Sequence, residues 1–410
     1  MITPSFNLTA TERVLPSMAL DFTTASLDSR ITFTRTTGAS NPATYVGSDG
    51  YIASASNNQA RFDYDPVTLA CKGLLIEEAR TNLFTYSSDY TNDWTLTKLT
   101  SFGTTTSPDN TNTGYKLVPN TDSATHSVSQ TIALTSGTTY TFSVYAKAAE
   151  KTNLQLRIST TNDIQITFNV DTGEIKSTVA GTGTITDVGN GWYRCTATAT
   201  CTSTASLALR IYVAEGDNTT LTYAGNDVDG LYIWGAQLEV GAFPTSYIPT
   251  TTAALTRNAD VATMTGTNFS DWYNQSQGTL FQQSIVLSTS GTKRLFNLSD
   301  GTDTNRIYLG AVSSGAFTVV NASSFEASLS AGAVTANTMF KTTGTYNTNY
   351  AIMATNAMLS SSDTSVTLPT LSQANLGSNG NATSFMNGWL QKVSYWPTQL
   401  TSAEVRAFSK

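Results

Sequence analysis

The chain has 410 residues, of which 40% are hydrophobic and 12% are charged, and its net charge is −7. This length predicts two or three domains, each with enough apolar residues for a core. Abundant Thr, a β-branched residue that suits pleated strands, and 28 Gly for turns favour an all-β chain.

The charge balance and the hydropathy pattern exclude several classes of function. No cluster of Lys and Arg could neutralise phosphates, so we expect no nucleic-acid partner. No run approaches the eighteen or so apolar residues of a membrane span, and residues 1–5 do not begin a secretory signal. Cys71, Cys195 and Cys201 match neither a disulfide framework nor a zinc pattern. They predict reduced packing residues in a protein made in a cytoplasm.

Residues 1–80 form an irregular opening that we interpret as an attachment section. Residues 18–22 and 31–35 alternate between apolar and polar side chains, as strands do. Residues 61–66 and 73–78 follow, and the second is a short apolar run that ends in acids. The opening is therefore predicted to contain several short strands.

Residues 81–250 carry a regular strand pattern. In residues 139–147, Phe142 and Val144 fall on one face and Tyr145 on the other. The same period of two returns in later segments, namely 154–158, 164–170, 207–211 and 231–238. About eight strands at this spacing predict two facing antiparallel sheets, a jelly-roll sandwich.

Residues 246–264 look like a connector, and the strand pattern resumes in residues 265–410 with a second predicted sandwich. Its last strand is followed by one helical turn. Thr401 or Ser402 would cap that turn, with Glu404 nearby. The predicted fold is all-β: tandem antiparallel β-sandwiches, a jelly roll and then a lectin-like sandwich, after an irregular N-terminal β section.

Two segments carry a resemblance to bacteriophage tail-fibre and head-fibre proteins. The phrase at 73–83, preceded by the Arg-Phe-Asp-Tyr-Asp-Pro segment at 61–66, resembles a sequence that recurs in those proteins. The strand at 232–239 with the segment at 245–250 resembles the end of the same phage modules. The resemblance implies a virion protein, made in the host cytoplasm, whose partners are other virion proteins, and it implies a homotrimer.

Residues 82–240 are also similar to jelly-roll carbohydrate-binding modules, on the strength of an Asn-Leu entry at Asn82 with Asp89 and Trp94. Residues 275–410 resemble the concanavalin A/laminin G type of sandwich through the final strand at 388–396. The first resemblance implies a structural calcium ion, with Asp89 and Asp229 as the matching acids. Ordinary turn acids without a metal are the alternative.

Catalytic chemistry finds little support in the sequence. The only histidine, His126, lies in a polar run that reads as a loop and belongs to no catalytic motif, so we expect it to be exposed. A glycosidase needs two facing carboxylates. Glu77 and Glu78 would point to opposite faces of a strand, and the other acid pairs, Asp89 with Asp93 and Asp227 with Asp229, fall in loops. We predict that the chain is not an enzyme.

Aromatic residues near strand ends are candidates for stacking on a sugar. Trp94, Trp192 and Tyr193 lie near strand ends, whereas Trp234 and Trp389 lie in mid-strand, where burial is expected. Packing in a core or at its rim is the alternative for the first three.

The leading hypothesis is a phage tail fibre or receptor-binding appendage that contacts a host surface glycan or neighbouring virion subunits. A head fibre or capsid decoration protein and a polysaccharide-cleaving glycanase are the alternatives. A bacterial adhesin is a weaker one.

Overall fold

A computed structural model describes residues 15–35, 43–158, 163–215 and 221–410, and these residues form two β-sandwiches. The predicted all-β class is confirmed. The longer helix has seven residues, so within these ranges no helix could cross a bilayer. Residues 1–5, which are predicted not to begin a secretory signal, lie outside the described residues.

The opening of the chain forms short strands around one 3-10 turn at Phe22–Thr24. Asp21 caps this turn by accepting a hydrogen bond from the Thr23 amide. The strands are β1 (Met18–Asp21), β2 (Thr32–Thr34), β3 (Ala43–Val46), β4 (Ile52–Ala55), β5 (Phe62–Tyr64), β6 (Cys71–Ile76) and β7 (Arg80–Asn82).

The middle of the chain forms the first sandwich, which has the predicted two antiparallel sheets. Its strands are β8 (Thr95–Thr97), β9 (Leu99–Thr105), β10 (Gly114–Pro119), β11 (Ser123–Leu134), β12 (Thr139–Lys147), β13 (Asn153–Ile158), β14 (Gln165–Asn169), β15 (Glu174–Ala180), β16 (Thr182–Asp187), β17 (Trp192–Thr200), β18 (Ala205–Ala214), β19 (Thr222–Ala224) and β20 (Leu231–Val240).

One sheet of the first sandwich has the order β16-β17-β12-β20-β10-β9, and the other has the order β15-β14-β13-β18-β11-β19, with β8 also on β11. Phe142 and Val144 of β12 face Leu209 and Ile211 of β18 across a shared apolar core. Cys195 is buried in the same core. The predicted alternation of β12 therefore assigns its inner face correctly.

The last third of the chain forms the second sandwich. The strands in this part of the chain are β21 (Leu255–Arg257), which lies outside the two sheets of the sandwich, β22 (Val261–Thr265), β23 (Gln277–Val286), β24 (Lys293–Ser299), β25 (Arg306–Ala311), β26 (Ser314–Asn321), β27 (Ser324–Ala333), β28 (Phe340–Asn347), β29 (Tyr350–Thr355), β30 (Met358–Leu359), β31 (Gln373–Leu376) and β32 (Gly388–Trp396), with helices α1 (Thr267–Ser270) and α2 (Ser402–Phe408).

Helix α2 begins with the capping box that the sequence predicts. The Thr401 hydroxyl accepts from the Glu404 amide, and the Glu404 carboxylate accepts from the Thr401 amide at 2.8 Å. Two unpaired donors of the first turn are thereby satisfied. The helix packs Val405 against Trp396 at the edge of the second sandwich.

Four strands of the opening section, β1, β2, β5 and β6, belong to the second sandwich, although more than 300 residues separate some partners, whereas β3 with β4 and β7 with β21 form two separate two-stranded sheets. The eight-stranded sheet has the order β30-β29-β28-β23-β32-β6-β5, with β1 also on β32. The seven-stranded sheet has the order β2-β22-β31-β24-β25-β26-β27. Met18 lies opposite Tyr395, and Leu74 lies opposite Leu390. The described part of residues 1–80 is thus not a separate attachment unit, because its apolar side chains complete the core of the second sandwich.

Gly73 allows β6 to lie against β32. Its φ is +112°, and a Cβ atom there would lie 2.5 Å from the Leu390 carbonyl oxygen. We expect Gly73→Ala to lower the free energy of unfolding by about 3 kcal/mol, because backbone strain and a steric clash add. Gly137 also has a positive φ, +78°, but nothing lies within 4 Å of its Cβ position. Gly137→Ala should therefore cost only about 1 kcal/mol. Urea unfolding of both variants checks this, and equal losses would contradict the close approach.

Candidate functional site

The outer face of one jelly-roll sheet carries an aromatic layer, which we define as Tyr145, Trp192, Trp234 and Tyr247. Tyr145, Trp192 and Trp234 point outward from β12, β17 and β20, opposite to the core. Tyr247 belongs to the segment that follows β20, and its ring lies 4.5 Å from that of Trp234. All four side chains are buried.

The segment Thr245–Ile248 covers the aromatic layer and is fixed there by hydrogen bonds. Arg194 Nη1 donates to the Thr245 carbonyl at 2.8 Å. The Gln237 side chain donates to the Ser246 carbonyl at 3.3 Å and accepts from the Ile248 amide at 2.7 Å. The chain itself therefore closes this sheet face to other molecules.

Trp94 and Trp192, two of the predicted sugar-stacking residues, have no open ring face. Trp94 packs in the jelly-roll core, 5.1 Å from the Phe84 ring, and its Nε1 donates to the Tyr86 carbonyl. Trp192 is 1% exposed in the aromatic layer, and its Nε1 donates to the Thr106 carbonyl. The structure therefore packs both side chains in its interior, which is the alternative that the sequence left open.

Tyr193, the third predicted residue, lines a cleft of about 390 Å³ between the opening section and the jelly roll. Its ring packs beside the turn at Gly173, where a Cβ would lie 2.6 Å from Cε1, and it is half-buried. The polar and apolar groups that share the cleft with Tyr193 include Asp49, Pro66, Leu69, Asp187 and Asn190.

Both carboxylates of the cleft are exposed turn acids. Asp49 accepts a hydrogen bond from the Tyr51 amide at 3.1 Å, and Asp187 accepts from the Gly189 amide at 2.8 Å. Each keeps a free oxygen that can accept from a ligand hydroxyl. The cleft thus combines an aromatic ring with hydrogen-bond acceptors, the two kinds of group that hold a sugar.

A second set of charged side chains, the junction cluster, is buried where the two sandwiches meet. It consists of Arg35, Arg61, Glu77, Arg257 and Asp260. Arg35 Nη1 lies 2.8 Å from Asp260, Arg61 Nη2 lies 2.7 Å from Glu77 and also contacts Asp260, and Arg257 Nη1 lies 3.4 Å from Glu77. Each side chain is at most 1% exposed.

Glu77 links the junction cluster to the segment that covers the aromatic layer. Its carboxylate accepts from the Ser246 amide at 2.8 Å and from the Ser246 hydroxyl at 2.7 Å. Burial alone would raise the pKa of Glu77, but Arg257, Arg61 and the Ser246 hydrogen bonds outweigh burial and bring the pKa to about 2. Glu77 is therefore ionised at neutral pH, and its role in this position is structural.

The carboxylates of Glu77 and Glu78, the first of the predicted pairs, lie on opposite sides of the chain. Glu77 lies in the junction cluster, whereas Glu78 points the other way to Arg80 and Asn387, as expected for adjacent residues of an extended chain. Asp93 accepts from the Thr85 hydroxyl on the surface.

The two predicted calcium ligands lie at different places along β20. Asp89 accepts from Thr91 and Asn92 in a loop whose Ser87 carbonyl accepts from the Ala236 amide. Asp229 directly precedes β20 and accepts from Asn226. Within the described ranges, no group of three or more His, Cys, Asp or Glu side chains could hold a metal ion. Both acids act as turn residues here, and calcium binding stays a prediction.

His126 is buried in β11 and not exposed in a loop, so that prediction is wrong. Its Nδ1 lies 2.6 Å from the Lys98 carbonyl and its Nε2 lies 2.9 Å from the Tyr223 carbonyl. Polar residues around His126 suggested a loop, but they belong to a strand that pairs with β18 and β19. Both ring nitrogens are thus occupied by backbone groups.

Comparisons with known proteins find no matching family model and no matching curated protein. Among solved structures, the chain is similar to the CBM40 domain of the Ruminococcus gnavus IT-sialidase bound to α2,3-sialyllactose. The two are 15% identical, the match covers 33% of this chain and 84% of that chain, and the TM-score is 0.30. The NanB sialidase of Streptococcus pneumoniae is 13% identical over 35% of this chain and 26% of that chain, with a TM-score of 0.31. The receptor-binding domain of botulinum neurotoxin mosaic serotype C/D is 14% identical over 36% of this chain and 39% of that chain, with a TM-score of 0.28.

Removing the charge of Glu77 should destabilise the junction. We expect Glu77→Gln to lower the free energy of unfolding at pH 7 by about 3 kcal/mol, because it takes the nearest carboxylate from Arg257 and leaves Arg61 only Asp260. Asp122 forms an exposed ion pair with Lys98, so Asp122→Asn, the matched control, should leave the urea midpoint near that of the wild type.

The pH dependence gives an independent check. A carboxyl group whose pKa is lower in the folded state stabilises that state above its unfolded pKa, here 4.5, and the stabilisation is lost as the pH falls towards 2. Wild-type stability should therefore drop between pH 4.5 and pH 2 more steeply than that of Glu77→Gln. Parallel curves in urea unfolding would show that Glu77 is not held ionised by the cluster.

Proposed function

We propose that this protein is a structural component of a bacteriophage particle, a tail fibre or receptor-binding appendage, that contacts a host surface glycan through the Tyr193 cleft. The observation that carries the proposal is the cleft itself, where an aromatic ring, two carboxylates and an amide line one concave surface. Sugars are held by such combinations, because a ring packs on the apolar side of a pyranose while acceptors bind its hydroxyls.

The position of the phage-like segments supports the virion part of the proposal. Residues 61–66 and 73–83, which resemble phage-fibre sequences, supply Arg61 and Glu77 to the junction cluster and β6 to the second sandwich. The resemblance thus falls on residues that fix how the two modules are mounted on each other. A rigid mount between binding modules suits an appendage that must reach a surface without bending.

The same geometry favours binding over cleavage. A general acid of a glycosidase needs a carboxyl group whose pKa is raised, commonly by burial. Asp49 and Asp187 are exposed and each accepts from a backbone amide. We therefore propose that glycan bound in the cleft is retained and not cut.

Variants of the cleft test glycan contact. Tyr193→Ala and Asp187→Ala should each weaken binding on an array of bacterial surface polysaccharides by about tenfold, because each removes one stacking or hydrogen-bonding group. Asp171→Ala, which removes an exposed turn acid outside the cleft, is the control and should bind as the wild type does. Undiminished binding by both cleft variants would move the glycan site elsewhere.

Locating the protein on particles tests the appendage assignment. Antibody-gold labelling of virions should decorate the tail. Labelling of the capsid shell alone would instead favour the head fibre or decoration protein. Release of reducing ends from a bound polysaccharide by the purified protein would favour the glycanase.

A further inference from the structure

A row of polar side chains crosses the outer face of the seven-stranded sheet. Leu298 and Ile307 point into the core, and the residues next to them in β24 and β25 point outward. Six outward side chains lie side by side on neighbouring strands, and we call them the polar row: Thr263, Asn375, Asn297, Tyr308, Thr318 and Ser328.

The two asparagines of the polar row are buried without a full set of partners. Asn297 is 0% exposed, and Asn375 is 1% exposed. Among the described residues, neither Oδ1 nor Nδ2 of Asn297 has a hydrogen-bond partner. Nδ2 of Asn375 has no partner among them either. Asn375 Oδ1 accepts from Gln373 Nε2 at 3.0 Å. Because unpaired buried amides are unfavourable, these groups are poised to pair with hydroxyls brought by a ligand.

Arg294 adds a positive charge beside the polar row. Its guanidinium lies over the Tyr308 ring, 3.7 Å from the ring centre, and the residue is 8% exposed. Its Nε and Nη1 have no acceptor among the described residues. Burial lowers the pKa of Arg294. The Asp303 carboxylate acts in the opposite direction on this pKa, but its 2.9 Å ion pair is with Arg306. An anion beside Arg294 would offset the unfavourable burial of its charge.

We propose that this face binds a glycan that bears a carboxylate. Nη1 of Arg294, which has no acceptor among the described residues, donates to the carboxylate in a charge-assisted hydrogen bond. The amides of Asn297 and Asn375 pair with sugar hydroxyls. Arg294 and Gln373, whose side chains are long and flexible, reorient to admit the ligand.

This site goes beyond the function proposed for the Tyr193 cleft and lies on the other sandwich. The cleft presents the carboxylates of Asp49 and Asp187, which repel an acidic glycan. The face beside the polar row presents Arg294, which attracts one. The two sites therefore differ in the charge of the glycan that each accepts.

Matched pairs of oligosaccharides test the proposal on the full chain by saturation-transfer NMR and calorimetry. The probes are tetragalacturonate with its methyl ester, and 3′-sialyllactose with lactose. We expect at least one acidic member to bind, and its uncharged counterpart to bind about tenfold or more weakly, because a hydrogen bond to a charged group contributes on that order. Arg294→Met should abolish this preference, and Arg294→Lys should keep part of it.

Three controls separate the outcomes. Arg30→Met removes an arginine that already pairs with Asp28 and should leave binding unchanged. Asn297→Ala and Asn375→Ala weaken binding and carry the test if thermal unfolding shows that Arg294→Met is not folded. A protein with both Tyr193→Ala and Asp187→Ala should still prefer the acidic member, even if the cleft binds no glycan. The proposal is overturned if no acidic probe binds, or if the preference survives Arg294→Met and Asn297→Ala but is lost in the cleft variant.

Discussion

The junction cluster is the interaction on which the arrangement of the whole molecule depends. Arg35 comes from the opening section, Arg61 and Glu77 flank β5 and β6, and Arg257 and Asp260 follow the jelly roll. No two neighbouring segments can complete this set alone. Removing charges from water is expensive and is offset only when every partner is in place. The cluster therefore forms only in one arrangement of the modules, and it adds specificity to an architecture that apolar burial stabilises.

The same cluster decides which surfaces remain open to a ligand. Through Ser246, Glu77 holds the segment that covers the aromatic layer, so the outward tryptophans of the jelly roll become interior residues. Aromatic residues that would suit a sugar site in an isolated sandwich act instead as the packing between modules. The cleft that Tyr193 lines, between the opening section and the jelly roll, is not covered by this segment.

Local patterns in the sequence predicted the strands well and their partners poorly. Period-two alternation gives the inner face of β12, and the capping residues give the start of α2, because both depend on neighbours within a few positions. The pairing of β1 and β6 with β32 depends on apolar segments more than 300 residues away. For Trp192, alternation shows that a side chain leaves one core, but it gives no information on what covers the opposite face. For His126, the polar neighbours hide that the residue lies on the same face of β11 as the core residue Val128.

The polar row shows the same limit of local sequence patterns, here for polar residues. In the sequence, Asn297 and Asn375 are ordinary polar positions of alternating strands, which usually face water. Only the register between β24 and β31 makes them neighbours, and only the fold buries them. The buried arginines of the junction cluster each lie within 3.4 Å of a carboxylate of this chain, whereas the guanidinium of Arg294 lies over the ring of Tyr308. That contrast separates charges that pair within the fold from the charge on which the proposed site of the second sandwich depends.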